Sequence, residues 1–259
     1  MGYVLKDDRS IHCFIPACKD SDIWTILILD ETVKWAEILI NNRITPMPLA
    51  QTKGLKMANH LYQGDLPDDL DLGPIVAIDC ETMGLNPSRD RLCLIQLSSG
   101  DGYAHLVQIA QGQTEAPNLC RLLKDPRVLK LFHFGRFDIA AMYNAFGTLA
   151  APVYCTKIAS KMVRTYTDRH GLKNLLQELL GVDISKYQQS SDWGAPDLTD
   201  AQLDYAASDV LYLHKLKAVL DQRLEREGRT ELAQKCFDFL PARAQLDLAG
   251  WPEIDIFSH

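Results

Sequence analysis

The chain has 259 residues, of which 47% are hydrophobic and 24% charged, a composition typical of a globular protein with one large domain and a smaller appendage. Its net charge of −7 excludes the broad basic surface with which proteins usually hold long nucleic acids. A role on nucleic acid must therefore use short contacts, a local basic patch or metal ions that offset the acidity.

The cysteines and the apolar runs both indicate a cytoplasmic protein. The seven cysteines are scattered and form no C-x-x-C pair, so we expect free thiols in a reducing compartment. No apolar run reaches the roughly 18 residues that a membrane-spanning helix needs. The first residues, "MGYVLKDDRS", lack the basic and apolar regions of a signal peptide. We therefore expect a cytoplasmic location and no membrane association.

Residues 1–56 are predicted to be an N-terminal extension whose structure the sequence does not specify. They carry no net charge, contain apolar residues without a clean period and end in a linker-like segment, "RITPMPLAQTKGLK". Two interpretations stay open: a small appended element, or an upstream segment from a mis-assigned start, with translation beginning at Met57. Residues 57–259 carry the clear patterns and the whole net negative charge.

The elements from Met57 onward predict an α/β fold. Strands are expected at 75–81, 91–98, 103–109, 128–134 and 151–155. Helices are expected at 116–125, 137–147, 156–165, 171–180, 199–223 and 228–239. The short links between the first three strands favour antiparallel neighbours. Three strands followed by alternating helices and strands indicate a mixed five-stranded sheet flanked by helices.

Three acids in this region lie at the end of a predicted strand or shortly after one. Asp79 and Glu81 end the first strand, and because side chains alternate along a strand, both carboxylates point to one face. They lie at the carboxyl end of the strand, where α/β sheets tend to bind ligands. A solvated strand end would give the same pattern. Asp138 follows the fourth strand in "HFGRFD", where an acid near a helix N-terminus is favourable without any other role.

A fourth acid, Asp209, lies on the apolar stripe of a helix. Thr199 and Gln202 form a capping box that marks the start of this helix, and Leu213 continues the stripe. Tyr205 lies one turn before Asp209 on the same side. A buried acid needs a cation or strong hydrogen-bond donors, so a salt bridge from a basic residue stays open as an explanation.

Together, the four carboxylates favour a site for two divalent cations. Hard cations such as Mg²⁺ prefer oxygen ligands and keep several waters. Two metals about 3.5–4 Å apart can stabilise the attacking and leaving oxygens of an in-line phosphoryl displacement. Tyr205 could orient or deprotonate the attacking water, although an ordinary phenol pKa of about 10 requires nearby cations to ease that step.

These motifs resemble those of the DEDDy 3′-5′ exonucleases, the tyrosine branch of a superfamily that includes RNase D. The matching segments are "IDCETMGL", "HFGRFD" and "LDYAASD", and the resemblance covers residues 58–259. It implies a ribonuclease H-like fold, Tyr205 as the general base and two Mg²⁺ or Mn²⁺ ions as cofactors. The implied metal ligands, which are also catalytic, are Asp79, Glu81, Asp138 and Asp209.

Within this superfamily, the compact length, the "HFGRFD" variant and an apolar C-terminal tail are similar to the nano-RNase C family of alphaproteobacteria. That resemblance implies hydrolysis of very short single-stranded RNA, down to dinucleotides, to 5′ mononucleotides. It also implies a ring-like homo-octamer. Processing of structured RNA such as tRNA precursors, and degradation of DNA 3′ ends, stay open as alternatives. The tail, residues 239–259, either folds onto its own domain or forms an interface with another subunit.

The resemblance also implies substrate contacts. Thr82, Met83 and Leu85 would hold the 3′-terminal nucleotide, with Leu85 wedged against the bases. The further candidates are His133, Arg136 and Gln189. Local positive charges that could hold a 5′ phosphate, or could be solvated helix faces, are Arg136, Lys157, Lys161, Arg164, Arg169 and Lys173. Phe134 stands where many members of the superfamily carry Asn, so contacts known from RNase D need not transfer.

Overall fold

A computed structural model of the chain describes residues 24–27, 37–40, 59–184 and 187–259. The chain divides into two compact units, Met1–Leu55 and Lys56–His259. In the first unit, strand β1 (Trp24–Leu27) pairs antiparallel with strand β2 (Glu37–Ile40), although the sequence there shows no clean period. The other predictions for residues 1–56 lie outside the described residues.

The second unit is built on a six-stranded mixed sheet, one strand more than predicted. The strands are β3 (Asn59–Gln63), β4 (Ile75–Thr82), β5 (Leu92–Ser98), β6 (Ala104–Gln108), β7 (Leu129–Phe132) and β8 (Val153–Cys155). They lie in the order β3-β6-β5-β4-β7-β8. As the short links predict, β5 is antiparallel to both β4 and β6, and the remaining pairs are parallel.

The strand that the sequence prediction missed, β3, lies at an edge of the sheet beside β6. None of its five side chains is fully buried, and its sequence, NHLYQ, has no apolar run and no alternation. Sequence patterns detect strands through the burial of their side chains. An edge strand with exposed side chains therefore gives no signal.

Helices flank this sheet. Those in the described part of the unit are α1 (Pro117–Lys124), α2 (Arg136–Phe146), α3 (Thr156–Val163), α4 (Leu172–Leu180), α5 (Asp200–Leu211), α6 (Leu213–Arg226) and α7 (Thr230–Leu248). Both α2 and α5 pack against β4 and β5. This packing brings the two helices that carry predicted acids to the strand that carries the other two.

Two helix predictions are corrected. The helix expected at 199–223 is two helices, because the chain turns at Tyr212 between α5 and α6. The leucine stripe continues across this turn into the core, so the sequence pattern hides the break. The helix expected to end at 239 runs through Pro241 to Leu248, because Leu240 and Ala244 continue its buried face.

The cysteines within the described residues, which are Cys80, Cys93, Cys120, Cys155 and Cys236, are free. In the described part of the chain, none of the helices combines the length and the apolar character that a membrane span requires.

Candidate active site

The carboxyl end of β4 and the middle of α5 bring three acids together. Asp79 and Glu81 project from β4, and the register of β4 with β5 shifts directly after Glu81. Asp209 comes from α5. One carboxylate oxygen from each of these three side chains lies within 4.8 Å of the others. The predicted convergence of strand acids and a helix acid is therefore present.

The capping box of α5 sets the position of its acid. The Thr199 hydroxyl accepts a hydrogen bond from the Gln202 backbone N–H, and the Gln202 side chain accepts one from the Thr199 backbone N–H, as predicted. With the start of the helix fixed, Tyr205 and Asp209 are one turn apart on the same side. The Tyr205 phenol hydrogen-bonds to Asp209. The Trp193 ring lies 6.0 Å from the Tyr205 ring, centroid to centroid.

Asp138, the fourth predicted acid, lies in the first turn of α2 and is 3% exposed. Its carboxylate accepts hydrogen bonds from the backbone N–H and the thiol of Cys80, the residue between Asp79 and Glu81. Cys80 thus links α2 to β4, the strand that carries Asp79 and Glu81. Sequence reasoning missed this role, because a cysteine between two acids has no distinctive pattern.

Burial and mutual repulsion perturb these acids. Burial raises the pKa of Asp79 well above its usual range, and the charges of Asp138 and Asp209 add to the shift. Burial, followed by Asp209 and Asp138, raises the pKa of Glu81 to about 9. Burial raises the pKa of Asp138 to about 8, against the effect of its hydrogen bonds. Acids that disfavour one another's charge are stabilised by a bound cation, and oxygen donors are the ligands that Mg²⁺ and Mn²⁺ prefer.

Asp79, Glu81 and Asp209 line a cleft of about 640 Å³, whereas Asp138 is not among its lining residues. Of the predicted substrate residues, the structure places five in its wall: Thr82, Met83, Leu85, His133 and Gln189. Leu85 is 91% exposed, so its side chain is available to a ligand. The loop that carries it is tight, since a Cβ on Gly84 would lie 2.3 Å from an Asp90 carboxylate oxygen.

Arg136, the sixth predicted substrate residue, is not among the residues that line the cleft. Its guanidinium binds the buried Asp247 of α7, with Nε 2.5 Å from Oδ2 and Nη2 2.7 Å from Oδ1, and also donates to the Pro252 carbonyl. Arg243 binds the same carboxylate at 2.6 Å. The sequence shows a basic residue two positions before Asp138. It does not show the partner of this residue, because that partner lies 111 residues away.

The lining of the cleft also contains a cation over an aromatic ring. The Lys157 ammonium lies 3.9 Å from the centroid of the Phe134 ring, and both residues line the cleft. Phe134 has φ 71°, a left-handed conformation that is strained for a bulky side chain. Strain of this kind is common at functional sites. Next to it, burial lowers the pKa of His133 to about 3, so this imidazole is neutral.

Comparison with known proteins agrees with this geometry. A family model described as 3′-5′ exonuclease matches residues 64–225. The chain is 40% identical to the Ribonuclease D of Gluconacetobacter diazotrophicus over 158 residues, which is 61% of this chain and 40% of the relative. This chain thus spans about two fifths of the length of the curated Ribonuclease D relatives that it matches.

Two solved structures of Brucella melitensis NrnC, one with bound Mg²⁺ and one bound to pGG, match with a TM-score of 0.76 each. Their identities to this chain are 61% and 62%; the match covers 78% of this chain and 100% and 99% of theirs. The chain therefore belongs to the 3′-5′ exonuclease family, in which NrnC and the Ribonuclease D proteins are its relatives. Its α/β fold is ribonuclease H-like, as the motifs imply, with six strands in place of five.

Proposed function

We propose that this chain is a metal-dependent 3′-5′ exoribonuclease that hydrolyses very short RNA, including dinucleotides, to 5′ mononucleotides. The observation that carries the proposal is the cluster of Asp79, Glu81 and Asp209 carboxylates, within 4.8 Å of one another, in a cleft of about 640 Å³. Clefts of about 300–1,000 Å³ suit small ligands. The net charge of −7 also favours short substrates, because few phosphates would be neutralised.

The proposed cofactors are two divalent cations, Mg²⁺ or Mn²⁺. Asp79, Glu81, Asp138 and Asp209 would hold them, and the bound ions would supply the Lewis acidity that stabilises charge on the reacting phosphate. The related NrnC structure with bound Mg²⁺ supports this assignment. The raised pKa values of the acids also support it, since cation binding lets carboxylates ionise together at neutral pH.

Tyr205 is proposed to orient the attacking water and, once its own proton has been released to solvent, to accept the proton of that water at the phenolate Oη. Burial raises the pKa of this phenol above its usual value of 10, and the charges of Asp209 and Glu81 add to the shift. The phenol is therefore neutral in the cation-free protein. Cation binding to the neighbouring carboxylates removes the part of the pKa increase that their negative charges cause. Tyr205 can therefore act as a base only when bound cations offset the charge of these acids.

The cleft walls suggest how a short RNA is held. Met83 and Leu85 offer apolar surface to the base at the 3′ end, and the Phe134 ring offers a face on which a second base can stack. Lys157 is the proposed partner of a 5′ phosphate. The related NrnC structure bound to pGG, a name that denotes two guanosines and a 5′ phosphate, supports a substrate of this size.

We also propose that the chain is a cytoplasmic homo-oligomer, an octamer by the resemblance to nano-RNase C. The free thiols support the cytoplasmic location. The C-terminal tail supports the oligomer, because Trp251, Ile254 and Phe257 are 44%, 55% and 76% exposed, and such apolar surface usually meets a partner. Light scattering coupled to gel filtration tests the oligomer: a monomer at micromolar concentration would contradict it.

The experiment for the activity is a length series. Labelled 5′-phosphorylated RNAs of two to twenty nucleotides are incubated with the protein and Mg²⁺, Mn²⁺ or EDTA. We expect metal-dependent release of 5′ mononucleotides, fastest for the shortest RNAs. The absence of metal-dependent product at every length would overturn the proposal.

A second candidate is the 3′ processing of structured RNA, because the related Escherichia coli RNase D is an exoribonuclease involved in structured RNA processing. Degradation of DNA 3′ ends is the other alternative. The same assay separates them when tRNA precursors and DNA oligonucleotides are included. A clear preference for tRNA precursors, or for DNA, over dinucleotide RNA would replace the first proposal.

A further inference from the structure

Gln96 is a polar side chain in the middle of the most deeply buried strand. All seven residues of β5 are buried, and Gln96 is 0% exposed. In the antiparallel pairing of β4 with β5, its direct partner is Asp79. Directly paired residues project to the same face with Cβ atoms about 4.5–5.5 Å apart. The side chains of Gln96 and Asp79 therefore leave neighbouring positions on the same face of the sheet.

Neither polar atom of this amide has a hydrogen-bond partner among the described residues. Other buried polar side chains of the same sheet do have partners. The Gln108 amide donates to the Ala195 and Pro196 carbonyls, and the Ser98 hydroxyl donates to the Tyr103 carbonyl at 2.8 Å. Burying an amide without a partner costs about 1–3 kcal/mol by mutational data. An apolar side chain of the same volume would suit this position better if packing were its only use.

We propose that Gln96 is a positioning residue that orients the Asp79 carboxylate for cation binding. Its Nε2–H donates to one enclosed water, and that water donates to a carboxylate oxygen of Asp79. Groups that hydrogen-bond to a metal ligand fix its orientation, and their loss typically lowers metal affinity about 10–100-fold. The inference rests on the proposed function, since it assigns Gln96 to the cation site of the same acids.

The test compares Gln96→Met with the wild-type protein, because methionine keeps the length of the side chain and removes both polar atoms. Mn²⁺ binding is measured by calorimetry, and thermal unfolding is measured in EDTA. We expect the Mn²⁺ dissociation constant to rise about 10–100-fold. In EDTA, the variant should unfold at the same or a higher temperature than the wild type, because a buried amide with a single hydrogen bond is replaced by an apolar side chain. A residue with a merely structural role would not give this combination.

Gln108→Met is the matched control. It removes an amide that has protein partners, so it should lower the unfolding temperature and leave Mn²⁺ affinity unchanged. Unchanged Mn²⁺ affinity in Gln96→Met beside a tight-binding wild type would overturn this inference alone. A wild type that binds no Mn²⁺ would overturn the proposed function as well, so the two failures are distinguishable.

A second measurement does not depend on the folding of any variant. In a high-resolution crystal structure of the wild-type protein, we expect a water bonded to both the Gln96 amide and the Asp79 carboxylate. A Gln96 amide bonded elsewhere, with no water linking it to Asp79, would overturn the inference.

Discussion

Two regions of this protein bury carboxylates, and they do so in opposite ways. At the α2–α7 contact, Asp247 is 8% exposed and is bound by the guanidinium groups of Arg136 and Arg243. At the end of β4, Asp79 and Glu81 face Asp209, and the acids raise one another's pKa. The first cluster carries its own counter-charge and stabilises the fold. The second gathers charge at a cost to folding, which indicates that its counter-charge comes from outside the chain.

The largest expected effect tests the second cluster. Asp209→Asn should lower RNA hydrolysis by about 10³-fold or more, because loss of cation-supported charge stabilisation costs several kcal/mol in the transition state. The same variant should unfold at a higher temperature than the wild type in EDTA, since one repelling charge is removed. Steady-state rates and thermal unfolding measure the two effects. A variant that is both inactive and less stable in EDTA would contradict the comparison.

Tyr205→Phe separates the proton-transfer role from cation binding. It should lower the rate of hydrolysis about 10²–10⁴-fold, the range for a lost general base, while Mn²⁺ affinity stays near that of the wild type. Rapid-quench kinetics and calorimetry are the measurements. Turnover equal to that of the wild type would show that Tyr205 is not the base.

In the first cluster, neutralising the acid should destabilise the fold. Asp247→Asn should lower the free energy of unfolding by about 2–3 kcal/mol, because it leaves two arginines beside a neutral amide. We expect less than the loss typical of a fully buried pair, since the Arg136 side chain is 34% exposed and solvent screens it. Urea unfolding measures the loss. Unchanged stability would mean that the ion pairs contribute nothing to the fold.

The two clusters should also differ in their response to pH. The folded-state pKa values of Glu81 and Asp138, about 9 and about 8, lie above their ordinary values of 4.5 and 3.8. Between the ordinary and the raised pKa, the folded protein holds protons that the unfolded chain has released. Stability in EDTA should therefore fall as pH rises from about 5 to about 8, by about 1.4 kcal/mol per pH unit for each such proton.

Thermal unfolding in EDTA at a series of pH values measures this slope. Asp209→Asn should show a shallower slope than the wild type, whereas Asp247→Asn should keep the wild-type slope. An unfolding temperature that rises with pH over this range would contradict the assignment of uncompensated acids.

The smallest expected effect concerns Lys157, a cation that rests on an aromatic ring in the cleft. Lys157→Met should raise KM for a 5′-phosphorylated dinucleotide about tenfold, equal to about 1.4 kcal/mol, because one charge-assisted contact is lost. KM for the same dinucleotide with a 5′ hydroxyl is the internal control and should stay unchanged. An equal increase in KM for both dinucleotides would show that Lys157 does not bind the 5′ phosphate.

The parts of this protein that the sequence predicts are those with local signals. The capping box of Thr199 and Gln202 fixes α5, and the spacing of Tyr205 to Asp209 follows from one helical turn. The D-x-E spacing predicts a shared face for Asp79 and Glu81, and the two carboxylates lie together. Local sequence signals are therefore sufficient to identify these acids.

Features that depend on distant parts of the chain could not be predicted in this way. The Arg136 partner is far along the chain, so its charge appeared available for substrate. Gln96 lies opposite Asp79 only because of the register of β4 with β5, which the sequence does not state. The edge strand β3 lacks a burial pattern, and the left-handed conformation of Phe134 has no signal in a residue type that rarely adopts it.

The central claim is that the acids at the end of β4 are held for external cations. Calorimetric titration of the metal-free protein with Mn²⁺ at pH 7, in two buffers of different ionisation enthalpy, tests it most directly. We predict two Mn²⁺ ions per chain with release of protons, because the raised pKa values leave protons for the cations to displace. Absence of binding, or binding that survives unchanged in Asp209→Asn, would contradict the claim.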